Sequence, residues 1–208
     1  MLFSLAMPAQ AAFTVTWLVW YVTWIAAVVW SGKTKVQMKT DMGGLHRMIA
    51  GVGGVLMLWP SSPGDAGAGH AWHAVVTQRL WSSAAWLDWS LYGLLLCAFG
   101  FCWWARLHLG RLWSGFVTLK EDHHLIDTGP YGLVRHPIYT GAMAAAVATA
   151  LERASPASML GAAMLIVGFA LVARTEERFL RDQLGAGEYD TYSRRVPMLV
   201  PLSGRVGP

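Results

Sequence analysis

Charge is scarce in this chain of 208 residues: 13% are Asp, Glu, Lys or Arg, where a soluble domain carries roughly 25%. That scarcity excludes a solvated surface over most of the molecule. Cysteine is scarcer still, at two residues. Cys97 and Cys102 point to different sides of one expected helix. Neither a disulfide framework nor a four-ligand metal set can be built from them, and both read as small buried hydrophobes. No basic residue precedes Lys33, and "MLFSLAMPAQA" offers only a short apolar core, so no signal peptide is expected. Several signatures are missing as well. There is no GxGxxG after a strand, no phosphate loop, no GxSxG elbow and no HExxH. A Rossmann-type nucleotide domain is therefore excluded, and any cofactor must be held by other means.

Apolar residues are what the chain has, at 55% of the total. They gather at about 11–30, 45–59, 86–105, 137–151 and 156–173. The first, third and fifth segments can cross a bilayer core, which takes roughly 20 residues. The second and fourth are shorter and rich in small residues, "AGVGG" at 50–54 and "GAMAAAVATA" at 141–150. Small faces let helices approach closely in lipid, where packing replaces the hydrophobic effect. The expected fold is all-α, a polytopic membrane bundle of about five transmembrane helices, the two short ones internal. All twelve Trp lie between Trp17 and Trp113, and indoles favour the membrane boundary, so the first half is expected to contact lipid.

The basic balance reports topology rather than nucleic acid, and no nucleic-acid partner is expected. With the N-terminus outside, the cytoplasmic side holds Lys33, Lys35, Lys39, Arg47, Arg106, Arg111, Lys120, Arg135, Arg174, Arg178, Arg181, Arg194, Arg195 and Arg205. The outside holds Arg79 and Arg153. This positive-inside bias predicts a cytoplasmic C-terminus. The outer segment 60–85 reads as turn-rich, with an interfacial stretch around Trp72–Trp86. The chain divides at 106: residues 1–106 hold the first helices, and 107–208 hold a polar loop, the hairpin 137–173 and a tail. The hairpin brings loop and tail together on the cytoplasmic side.

Three stretches there could do chemistry. In "RHPIY", Pro137 suits the first turn of a helix, with His136 where a cap would sit. The N–H groups of Ile138, Tyr139 and Thr140 then present a positive helix end, which favours a carboxylate or phosphate. The plainer alternative is that Arg135 snorkels to headgroups and Pro137 only starts a helix. In "DHHLIDTGPYGL", the adjacent His123 and His124 cannot easily share one ion, so no metal is expected; His124 and Tyr131 fit either a solvated loop or a ligand lining. In "ARTEERFL", Glu177 and Arg181 are four apart and fit a solvated ion pair, which leaves an acid at the boundary to face the loop. Beyond it, Tyr189 and Tyr192 fall at helical spacing, and "VPMLVP" is expected to run extended and pack back on the bundle.

The runs "HHLIDTGPYGLVRHPIYTG", "EERFL" and "LGAGEYDTYSRRVPMLVP" resemble the isoprenylcysteine carboxyl methyltransferase family, whose wider relatives include membrane phospholipid N-methyltransferases and methanethiol methyltransferases. The resemblance covers roughly residues 107–202; "LGAGEY" is one residue longer than the usual spacing. It implies a cytosol-facing pocket for S-adenosylmethionine, formed by the C-terminal half, with a lipid-side entrance for the acceptor. By motif, His123, His124, Leu125, Ile126, Tyr131, His136, Pro137, Ile138 and Tyr139 would line the cofactor, and Glu176 would complete the pocket. The family's acceptor-binding Arg upstream of the acidic pair has Arg174 as its nearest counterpart, and Arg174 and Glu177 are the candidate catalytic residues.

Physical reasoning on the same residues is compatible with these roles. Tyrosine faces tolerate a sulfonium through cation–π attraction, and methyl transfer is an in-line displacement that needs alignment and exclusion of water. Arg135, Arg174 and Arg178 make the rim cationic and favour an anionic acceptor. The expected partners are membrane lipids and a lipophilic or lipidated acceptor, first of all the carboxylate of a prenylated cysteine. A phospholipid amine or small thiol is the alternative, and would need deprotonation, for which the chain offers only histidine. A ligand-binding membrane module without catalysis and a sterol-type membrane reductase are the other readings.

Overall fold

The computed structural model describes residues 8–30, 34–37, 41–60, 71–113, 118–120, 125–184 and 186–201. Helices dominate it. Helix α1 (Ala9–Ala26) runs on through a tighter turn to Trp30, followed by α2 (Asp41–Met57), α3 (Ala71–Thr77), α4 (Ala85–Leu109), α5 (Pro137–Arg153), α6 (Pro156–Leu184) and α7 (Ala186–Arg195). All five apolar segments are therefore helical, and the interfacial stretch contains the short α3. Helices α1, α4 and α6 are long and apolar enough to cross a membrane. With 17 residues each, α2 and α5 reach only about 26 Å at 1.5 Å per residue. The protein is an integral membrane helix bundle.

Local chemistry sets the helix ends. Pro137 and Pro156 open α5 and α6, at the position where a missing N–H is harmless. Gly110 closes α4 with a positive φ of 54°, a conformation that favours glycine. One element went unread in the sequence: β1 (Thr34–Gln37) pairs antiparallel with β2 (Thr118–Lys120). Each strand is too short to announce itself, and each lies in a polar stretch between apolar helices. Their pairing ties the α1–α2 connection to the loop after α4.

Packing follows the small residues. The two most extensive interfaces are α2 on α6 and α4 on α5. A Cβ added to Gly53 would come within 2.6 Å of the Gly161 carbonyl oxygen, and one on Gly141 within 2.7 Å of the Ala98 carbonyl oxygen. Both crossings thus run backbone against backbone, as the small-residue faces of α2 and α5 predict. Between them, Phe13, Trp17, Leu95, Phe99, Ala145, Ala146 and Leu165 form the main buried core. Many large apolar side chains point outward instead, among them Leu18, Val22, Val52, Trp86, Leu94 and Val167. So much outward apolar surface suits lipid rather than water.

Polar groups collect at the two ends. Where α5 gives way to α6, Arg79 donates to the Glu152 carbonyl (2.8 Å) and Arg153 to Thr14 Oγ1 (2.6 Å). Ser158 donates to the Met57 carbonyl (3.0 Å). At the opposite end lie the C-terminal parts of α1, α4 and α6 and the N-terminal parts of α2 and α5. Successive long helices run in opposite directions, so residues far apart in sequence meet at this second end.

Candidate active site

A cavity of about 310 Å³ opens at that second end. Each wall comes from a different part of the chain. Trp20 and Trp24 come from α1, Arg47 from α2, Leu109 and Trp113 from the end of α4 and just beyond. Leu125, Ile126 and Tyr131 come from the following loop, His136 to Tyr139 from the start of α5, and Phe169 and Glu176 from α6; Tyr189 and Tyr192 of α7 close it.

The polar wall is organised around His136. As the N-cap residue of α5 it makes no capping bond; its ring bridges two acids instead. Nδ1 lies 3.6 Å from Glu176 Oε2 and Nε2 lies 3.3 Å from Glu177 Oε1. The Tyr139 hydroxyl donates to Glu176 Oε1 at 2.6 Å. The rings of His136, Tyr139 and Phe169 form a stack, with centroid separations of 5.6 and 5.0 Å. Burial opposes a charged His136, but the two carboxylates outweigh it and raise the imidazole above its ordinary value of 6.5. The Thr140 N–H bonds the His136 carbonyl (3.0 Å), so it is not part of the open helix end expected from "RHPIY". Ile138 and Tyr139 remain as first-turn donors at the cavity wall.

Arg135 also lines the cavity, but its guanidinium is held by other groups. Its Nε donates to Glu177 at 2.6 Å, and its Nη1 bonds the carbonyls of Ser193 (2.8 Å) and Val196 (2.5 Å). The tail docks beside it as the sequence predicts. Arg135 and His136 N–H groups donate to the Pro197 and Met198 carbonyls, and the Thr140 hydroxyl donates to that of Leu199 (2.7 Å). Tyr192 donates to the Tyr131 carbonyl at 2.8 Å. Burial pushes the phenols of Tyr131, Tyr189 and Tyr192 up, so they stay neutral.

Another part of the lining is aromatic. Trp20 stacks on Trp24 and on Phe99, each at 4.8 Å, and Trp24 meets Trp113 edge-on at 5.7 Å. Trp113 in turn lies 4.0 Å beneath the Arg106 guanidinium, which holds the Ala27 carbonyl at 2.6 Å. The cavity lining therefore includes indole rings as well as the Glu176 carboxylate, groups that suit a cationic ligand.

Of the residues named from sequence, Leu125, Ile126, Tyr131, His136, Pro137, Ile138, Tyr139 and Glu176 line this cavity together. His123 and His124 lie outside the described residues. Arg174 is exposed and off the lining. Glu177 is also off the lining, and it does not form the solvated pair with Arg181; it holds Arg135 and His136, while Arg181 pairs with Asp190 at 2.8 Å. Asp190 lies on α7 and Arg181 on α6, a pairing that i,i+4 spacing within one helix could not reveal. Trp20, Trp24, Arg47, Trp113 and Phe169 were not named from sequence. Their signal, Trp at four-residue spacing and a lone charge opening an apolar segment, has a ready membrane-anchoring explanation.

Residues 89–187 match the phospholipid methyltransferase family. The chain is 31% identical over 139 residues to the cobalt-zinc-cadmium resistance protein CzcN of Cupriavidus metallidurans, covering 62% of each chain. It is 31% identical over 126 residues to the nickel-cobalt-cadmium resistance protein NccN of Alcaligenes xylosoxydans xylosoxydans, covering 58% of this chain and 52% of that one. It is 33% identical over 101 residues to protein-S-isoprenylcysteine O-methyltransferase B of Arabidopsis thaliana, covering 47% of this chain and 51% of that one. In each case the match spans less than two thirds of the relative's own length. The cavity motifs "HPIY" and "EERFL" fall within residues 89–187, the stretch that is similar to the phospholipid methyltransferase family.

Proposed function

We propose that this protein is an integral membrane methyltransferase that uses S-adenosylmethionine and methylates the carboxylate of a lipophilic acceptor, with a prenylated cysteine the first candidate. The observation that carries this reading is one cavity lined both by Glu176, braced by Tyr139 and His136, and by Trp20, Trp24 and Trp113. The donor set fits the ligand. Glu176 suits the amine or ribose hydroxyls, the first-turn amides of α5 suit the carboxylate, and ring faces suit a sulfonium. When bound, the cofactor supplies an electrophilic methyl group.

The residues of the chain do the rest. His136 and Tyr139 hold Glu176 in place, and the docked tail and the tryptophans keep water out. Held by Glu176 and the first-turn amides of α5, the donor would supply its methyl group to an acceptor carboxylate oxygen in a single displacement, with the thioether as leaving group. No proton moves, so no base is required. About 310 Å³ is near the small end of ligand pockets, which run about 300–1,000 Å³. The donor would fill most of it, leaving the acceptor's apolar part to lie toward lipid. The charge bias of the sequence favours a cytoplasmic cavity, with the N-terminus outside.

Labelled donor, membranes carrying the protein and a panel of acceptors test the reading. A carboxylate acceptor gives an organic-extractable product that releases labelled methanol in mild alkali. A base-stable product would instead indicate methylation of an amine or thiol.

A further inference from the structure

Arg106 does not line the cavity, yet it holds residues that do. It lies in the last turn of α4 and is only 1% exposed. A charge buried in a membrane helix is costly, and its partners point to what it does. No carboxylate pairs with it among the described residues. Its partners are two carbonyls and a ring. Nη2 donates to the Ala27 carbonyl at 2.6 Å and Nη1 to the Gly110 carbonyl at 2.9 Å, with the Trp113 ring centre 4.0 Å from the guanidinium carbon.

Ala27 and Gly110 are the C-cap residues of α1 and α4. The C-terminal end of a helix carries roughly half a negative charge on its unsatisfied carbonyls. Two such ends amount to about one elementary charge, which a single guanidinium neutralises. Without it, two like ends would stand side by side and repel. Two helix termini therefore balance Arg106 in place of an acid, and Arg106 joins them.

The join matters because of how α1 is held. Side-chain hydrogen bonds tie its first half to the bundle, from Thr14 to Arg153, Thr16 to Tyr92 and Trp17 to Thr149. Its later part carries Trp20 and Trp24, which line the cavity. There Trp20 stacks on Phe99, and Trp24 meets Trp103 and Trp113 edge-on at 5.4 and 5.7 Å. Ring contacts tolerate sliding, whereas the bond to Ala27 fixes where the helix ends. We infer that Arg106 is a positioning residue for the donor, pinning the end of α1 to the end of α4 so that Trp20, Trp24 and Trp113 stay on the lining. This rests on the proposed function in one respect, that S-adenosylmethionine occupies the cavity.

The test uses the full chain in lipid nanodiscs, with S-adenosylmethionine titrated by calorimetry. Arg106→Gln should weaken the donor about tenfold, while the fraction of protein that binds stays at the wild-type level. A merely structural arginine would do the reverse, lowering the binding fraction without changing the affinity of the rest, and that result would overturn the assignment. Arg106→Lys keeps the charge but not the fork, and should recover part of the affinity. Should the glutamine variant fail to accumulate, the lysine variant carries the same comparisons. In a Trp24→Ala background Arg106→Gln should cost little more, because the contact it sets is already gone; additive losses would break the link. Fluorine NMR of ligand-free, fluorotryptophan-labelled protein reads the pin directly. The Trp24 resonance, assigned from Trp24→Phe, should shift in Arg106→Gln and return toward wild type in Arg106→Lys; an unmoved signal would refute the pin. A wild type that binds no S-adenosylmethionine would sink the cofactor assignment instead, and the spectra would still decide whether Arg106 sets the position of α1.

Discussion

Glu176 and Glu177 are neighbours in sequence, and the structure gives them separable tasks. Glu177→Ala should loosen the tail rather than empty the cavity. The Arg135–Glu177 contact is 2.6 Å long between side chains only 11% and 19% exposed. Removing one partner of a fully buried pair costs about 3–5 kcal/mol, and an exposed pair is worth about 0–1. This pair lies between those limits, and Arg135 keeps its bonds to the Ser193 and Val196 carbonyls. A loss of about 2 kcal/mol follows, equivalent to a fall of about 4–8 °C in melting temperature for a chain of this size. Without its carboxylate partner the guanidinium would hold the end of α7 through the two carbonyl bonds alone and less firmly, so trypsin should cut faster at the exposed Arg194 and Arg195. Thermal unfolding in detergent and a trypsin time course read both effects, with Glu177→Gln as the isosteric control. Donor affinity should fall less than in Glu176→Ala. A Glu177→Ala protein with wild-type melting and proteolysis but no donor binding would refute this division of labour.

Glu176→Ala and Tyr139→Phe should each weaken S-adenosylmethionine binding measured by calorimetry, by about 2–3 kcal/mol for the first and less for the second; wild-type affinity in both would move the cofactor elsewhere. The raised His136 imidazole stabilises the fold fully below about pH 6.5, and that contribution disappears as pH rises through its shifted value. Melting temperature should therefore drop as pH rises above about 6.5, and His136→Gln should flatten the drop; an unchanged profile would show that the ring is not charged. Gly161→Leu should disrupt the α2–α6 crossing and cause loss of folded protein in membranes, because its Cβ would overlap the Met57 backbone; normal accumulation would contradict that packing. A reporter fused after Pro208 should be active only as a cytoplasmic fusion, and activity on the other side would reverse the proposed orientation.

The helices were legible because hydrophobic segment length survives any rearrangement of neighbours. Their packing was legible for a related reason: "AGVGG" and "GAMAAAVATA" have no side chains large enough to hold partners apart, and Gly53 and Gly141 do lie against backbone. The polar wall could be read because its members sit in two short motifs, "HPIY" and "EERFL", at the ends of one helical hairpin. Other features depend on contacts between distant segments. The β1–β2 pair joins stretches about eighty residues apart. Glu177 has one plausible partner within its helix and two actual partners more than forty positions away, and only the fold chooses between them.

The aromatic wall shows where composition misleads. Twelve Trp in a membrane protein invite a boundary explanation for every one, and that explanation absorbed Trp20, Trp24 and Trp113. Yet alternating helix direction imposes a rule that sequence alone could have supplied. The C-terminal ends of α1, α4 and α6 must share one end of the bundle with the N-terminal ends of α2 and α5. Polar or aromatic residues at those five ends are neighbours whatever their spacing in the chain. Arg47 opens an apolar segment, Trp24 closes one and His136 precedes one, so the rule groups all three before any coordinate is known. Anchoring and ligand binding then make different demands. An anchor needs only to reach the headgroups, whereas these side chains line one shared cavity.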